Sequence, residues 1–133
     1  MIDLHKPRMY VRGFIVMANE STPPLPVLVL VRDLLFSSKI TTTARAAGIQ
    51  LKLLRDPAKL ATETGDRLIV DLNLEGALPA AVDWRNRAHR PVIGFVSHVD
   101  TEIVAQARHG GIDHILARGA FADAIERWLT EKG

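Results

Sequence analysis

Residues 67–76 read RLIVDLNLEG, and the fold turns on them. Leu68, Ile69 and Val70 make a short unbroken apolar run that ends on the carboxylate of Asp71, with Asn73, Glu75 and Gly76 close behind. A run of this length and character marks a strand buried on both faces, the kind that fills a parallel sheet. Asp71 is therefore placed at the carboxyl end of a central strand, where open α/β sheets carry their functional groups.

Outward from that strand the pattern repeats. Residues 27–31 read as another buried strand, and Asp33 as the N-cap of a helix over 34–47 that carries Phe36, Ile40, Ala44 and Ala47 on one face and stops at Gly48. Residues 50–54 alternate as a half-buried strand, and Pro57 opens a short helix over 59–64 closed by Gly65. Beyond Gly76, a helix over 78–89 has Pro79 at its start, Val82 and Ala88 inward, and Arg85, Arg87 and the following Arg90 toward solvent. A fourth strand over 92–96 leads to a helix over 102–109, capped by Asp100 or Thr101 and ended by Gly110 and Gly111. A fifth strand covers 112–117, and residues 120–132 place Phe121, Ala124, Ile125, Trp128 and Leu129 at helical spacing.

Five strands alternating with five helices on short loops predict an α/β fold: a five-stranded parallel sheet with helices on both faces, each crossover right-handed. The flavodoxin-like order 2-1-3-4-5 brings the ends of the first and third strands together, so Val31, Arg32 and Asp71 are expected in one crevice.

Composition narrows the function classes. The chain has 133 residues, 47% of them apolar and 24% charged, enough for one domain with a real core and too apolar for disorder. Cysteine is absent, which excludes disulfides and thiolate metal sites and makes an intracellular, cytoplasmic location the expectation. A net charge of +2, with Lys and Arg scattered, argues against a nucleic-acid partner. No apolar run reaches the roughly 20 residues that span a bilayer, and the 13–18 patch is shorter than a secretory core, so no membrane partner is expected. Residues 1–26 lack a sustained period and end in the breaker-rich NESTPPLP, which reads as an N-terminal arm or linker before a domain over 27–133.

Three motifs then carry a family resemblance. VDLNLEG at 70–76, PVIGFVSHVD at 91–100 and GGIDHILARGAF at 110–121 stand in the order and spacing of the receiver domain of bacterial two-component response regulators, which the chain resembles over 27–132. The resemblance implies a CheY-like, flavodoxin-like fold, places Asp71 as the phosphoacceptor candidate, and implies partners among histidine kinases and downstream effectors in a phosphorelay. Receivers commonly associate through the fourth helix, fifth strand and fifth helix, so a homodimer is open to this chain as well.

The departures from the family set the functional expectation. Receivers hold Mg²⁺ with an acidic pair after the first strand, and counting back from Gly48 puts Val31 and Arg32 in those places, with Asp33 one residue on. The family's hydroxyl residue after the fourth strand falls on Val96 with Ser97 beside it, and its lysine after the fifth strand becomes Arg118. Mg²⁺ needs several oxygen ligands in near-octahedral order, and phosphoryl transfer needs the cation. A guanidinium from Arg32 at ~4 Å from Asp71 would instead gain roughly 4 kcal/mol of Coulomb energy at an effective dielectric near 20, before desolvation. A fixed Arg32–Asp71 ion pair is thus expected where the family has its metal, with Arg32, Asp33, Asn73, Val96, Ser97 and Arg118 lining the site and no metal or cofactor bound.

The expected function is a degenerate receiver-like signalling module, not an enzyme, acting through protein contacts without Mg²⁺-dependent phosphorylation. Two alternatives stand beside it: an active receiver phosphorylated on Asp71, and a small flavodoxin-like ligand-binding protein or enzyme using the same crevice. With Gly133 the last residue, the effect is expected to pass through another polypeptide. Ser97, His98 and Asp100 supply the residue types of a hydrolytic triad, but neighbours on one loop do not easily reach its geometry.

Overall fold

The computed structural model describes residues 24–98 and 100–131, so the arm or linker expected over 1–26 lies outside the described residues except for its last three. The elements run β1 (Val27–Leu30), α1 (Leu34–Ala46), β2 (Leu51–Leu54), a 3-10 helix (Pro57–Thr62), β3 (Arg67–Asp71), α2 (Ala77–Ala88), β4 (Val92–Val96), α3 (Thr101–His109), β5 (His114–Ala117), α4 (Arg118–Ala122) and α5 (Ile125–Thr130). All strand pairs are parallel and the sheet order is β2-β1-β3-β4-β5, as expected from the alternation of strand and helix.

The apolar runs work because a strand's side chains alternate between faces. Leu28, Leu30, Leu68 and Val70 point to one side and pack with Leu60, Leu72, Ala81 and Trp84 under α2 and the 3-10 helix. Val27, Val29, Val31, Ile69, Ile93 and Phe95 point to the other, against Phe36, Ile40, Phe121, Ile125 and Leu129 of α1, α4 and α5. Trp84, which the periodicity did not single out, is fully buried, and its Nε1 donates to the Glu63 carbonyl at 3.0 Å. Burying a tryptophan requires such a partner for its N–H. Gly94 lets Leu72 lie directly on the β4 backbone, since a Cβ there would sit 2.6 Å from Leu72 Cδ1.

Three expectations are corrected. The terminal helix expected over 120–132 is two short helices, α4 and α5. The Ala124 amide donates to Phe121 instead of a full turn back, and its backbone leaves helical geometry at φ −141°, yet Phe121, Ile125 and Leu129 still face the core. The segment after Pro57 is a 3-10 helix, with Asp56 accepting from the Ala58 amide. The fifth strand begins at His114, because Gly111 (φ +88°) turns the chain before it can pair.

Arg87 and Arg90 are exposed, as expected, and Arg85 is half-exposed, and each is also paired. Arg85 makes a two-pronged contact with Asp113 at 2.9 and 3.1 Å, Arg87 donates to the Leu60 carbonyl at 3.0 Å, and Arg90 reaches both the carbonyl and the carboxylate of Asp66.

Candidate functional site

The carboxyl ends of β1, β3, β4 and β5 converge on one edge of the sheet. β1 and β3 are direct neighbours, with Leu30 opposite Val70, and β3 pairs Asp71 with Phe95 of β4. Asp71 thus ends a central strand, and it is partly buried. Its Oδ1 accepts from the Asn73 amide at 3.0 Å, closing a tight turn after the strand. Burial pushes its carboxyl above the usual range; the Asn73 N–H and the charge of Arg118 work against that rise, while the nearby negative charge of Asp33 adds to it.

Asp33 caps α1. Its Oδ1 accepts from the amides of Leu35 and Phe36, each at 3.0 Å, and its Oδ2 accepts from Arg118 Nη2 at 2.9 Å. The Phe36 amide, followed by Arg118, holds this carboxyl below its usual value. Arg118 starts α4 immediately after β5, and its long side chain crosses from there to Asp33 beyond the end of β1. Its guanidinium lies 4.1 Å from the centre of the Phe36 ring. Phe36 itself meets Phe95 edge-on at 5.1 Å, and Phe95 stacks on Phe121 at 5.3 Å, so the cation rests on a rigid aromatic pad.

The expected Arg32–Asp71 pair does not form. Arg32 is exposed, its carbonyl accepts from Arg55 Nη2 at 3.1 Å, and among the described residues no ion pair joins it to Asp71. Because β1 ends at Leu30, Val31 still turns into the core, Arg32 swings outward, and Asp33 is the residue that returns to the site. The protein's cation therefore comes from the far end of the chain.

Asn73 joins the edge of β3 to that of β4. Its Oδ1 accepts from the Ser97 amide at 2.7 Å and the His98 amide at 3.1 Å, and its Nδ2 donates to the His98 carbonyl at 3.4 Å. Val96 is buried in the α2-side core, and the Ser97 side chain is exposed. Asp100 spends its carboxylate on the Glu102 and Ile103 amides at the start of α3, so Ser97, His98 and Asp100 assemble no triad. Asn73 was expected to line the site, but residue type alone gave no sign that it would cross-link two loops.

These residues do not fit Mg²⁺. The ion takes oxygens in a near-octahedral shell. Among the described residues, Asp33 and Asp71 are the carboxylates at this edge, and both oxygens of Asp33 are already committed, one of them to a guanidinium. Surface grooves of about 790 and 750 Å³ lie elsewhere, one between α2 and α3 beside Val82 and Gln106, the other at the opposite edge of the sheet beside Arg67 and Thr130. Neither contains Asp33, Asp71 or Arg118.

No family model matches the chain, and no curated protein matches it by sequence. Solved structures do match, response regulators and their receiver domains among them. A response regulator from Burkholderia pseudomallei, solved with a phosphorylated aspartic acid, a calcium ion and citrate, aligns with a TM-score of 0.67 at 17% identity, over 80% of this chain and 67% of that one. The phosphorylated cyanobacterial phytochrome response regulator RcpA aligns at 0.70 and 9% identity, over 84% and 98% of the two chains. The receiver domain of the NarL response regulator from Mycobacterium tuberculosis aligns at 0.66 and 18% identity, over 80% and 94%. The chain has the fold of response-regulator receiver domains, CheY-like and flavodoxin-like.

Proposed function

We propose that the chain is a receiver-like signalling module that acts through protein contacts, with an acidic pocket held by Arg118 instead of a divalent ion. The observation that carries this reading is the commitment of Asp33: two helix amides on one oxygen and the Arg118 guanidinium on the other. In a metal-dependent acceptor those oxygens would have to be open to the cation, and a guanidinium beside them repels it. Asp71 then serves as a structural acid at a strand end and not as an obligatory phosphate carrier. Its partners are other proteins of a two-component pathway, a kinase or a downstream effector, and the module signals by which of them it binds.

The test is a mass measurement. The purified protein is incubated with acetyl phosphate and Mg²⁺ and its intact mass read; no phosphate adduct is expected. An adduct that Asp71→Asn removes would overturn the reading and make the chain a working acceptor with unusual cation chemistry.

A further inference from the structure

Asn73 holds the start of the loop after β4, and its own amide is held by Asp71. Asn73 Oδ1 takes two successive amides, Ser97 and His98, and Nδ2 returns a bond to the His98 carbonyl. Both lone pairs of the carboxamide oxygen are filled, which is as much as an amide oxygen can accept. The backbone of Asn73 is in turn fixed by its own N–H, donated to Asp71 Oδ1 at 3.0 Å. The bonds to the β4 loop cross 24 and 25 residues of sequence, so they are tertiary contacts and not a local turn. A carboxamide suits the place, since a carboxylate could accept the same amides but has no Nδ2 donor for the His98 carbonyl.

From this arrangement we propose that Asn73 is a latch that couples the acidic pocket to the β4–α3 loop. The Asp71 carboxylate orients the Asn73 backbone, and the Asn73 side chain orients Ser97 and His98, so a change at Asp71 Oδ1 reaches the exposed loop through one residue. Hydrogen-bonded chains of this kind act as units, and removing one member loosens the rest. The latch works whether or not Asp71 is ever phosphorylated, and it makes residues 97 and 98 the part of the surface that reports the state of the pocket.

Amide hydrogen exchange measured by NMR on the intact chain tests it. Asn73→Ala is expected to speed exchange at Ser97 and His98 about tenfold, the scale of losing their hydrogen bonds, while amides of β1 and β3 keep their protection. Asp71→Ala should speed the same two amides by a smaller factor. In the double variant it should add nothing to Asn73→Ala, because the path through Asn73 is already cut. Asn73→Asp, which keeps an acceptor for both amides but loses the Nδ2 donor, should speed exchange less than Asn73→Ala, and it also serves if the alanine variant folds poorly. Unchanged exchange at Ser97 and His98 in Asn73→Ala would overturn the latch. Additive effects of the two alanine substitutions would overturn the coupling.

Discussion

Asp66 and Asp71 bracket the same strand, β3, and their environments push them in opposite directions. Burial drives both carboxyls up. At Asp66 the hydrogen bonds and charges of Arg67 and Arg90 outweigh it, and the group ends below its usual value. At Asp71 the Asn73 amide and a more distant Arg118 do not, and the group ends above. The amino end of the sheet is a finished ionic seam: Arg67, only 8% exposed, donates to Asp66 and to the carbonyls of Trp128 and Glu131, fastening α5 beneath the sheet. The carboxyl end spends its arginine on Asp33, and among the described residues no cation pairs directly with Asp71. An acid paired with cations offsets the cost of its burial, whereas one that accepts mainly from a backbone amide keeps much of that cost.

The sharpest way to break this contrast is at Arg67. Arg67→Ala leaves Asp66 and two carbonyls short of donors, and urea denaturation should show a loss of about 3 kcal/mol, on the scale of breaking a buried pair. Asp66→Asn should cost less, about 1–2 kcal/mol at neutral pH, for the lost charge-assisted bonds. Because the folded value of Asp66 lies below 3.8, its contribution is present above that pH and disappears as pH falls through the lower folded value. Melting curves of parent and variant should therefore converge in acid.

Asp71→Asn should do the reverse on a smaller scale. Its folded value lies above 3.8, so ionisation of the parent costs stability once pH passes the raised value, and that cost is absent in acid. The variant should melt higher than the parent at neutral pH, with the gap closing as pH drops below 3.8. A parent that melts higher than Asp71→Asn at neutral pH would mean that Asp71 has a cationic partner after all. Arg118→Ala should change overall stability least, because Arg118 and Asp33 are open to solvent and such pairs contribute little. It should nevertheless move the Asp71 carboxyl further up, as read by a carbon-13 titration, since Arg118 supplies one of the influences that lower it.

Particular residues show where a linear reading succeeds. Leu28 to Val31, Leu68 to Val70 and Val92 to Val96 are apolar on consecutive positions, so their burial between two helical layers could be read without any contact information. Asp33 and Asp100 carried a local signal, a capping residue before a helix, and both cap as expected. Arg118 and Arg32 carried none: each is one arginine among many, and which of them meets an acid depends on where β1 stops and on a side chain that crosses the sheet edge. Asn73 was named for its place beside Asp71, but its bonds to Ser97 and His98 span two loops that only the strand order brings together.

Strand type, helix caps and the position of Asp71 follow from the amino-acid order alone, because apolar alternation and cap hydrogen bonds act over a few neighbouring residues. The break between α4 and α5, the burial of Arg67 and the pairing of Asp33 with Arg118 follow only from the assembled sheet. The reason is reach: the Asp33–Arg118 contact joins residues 85 positions apart, and a charge selects its partner by distance in space.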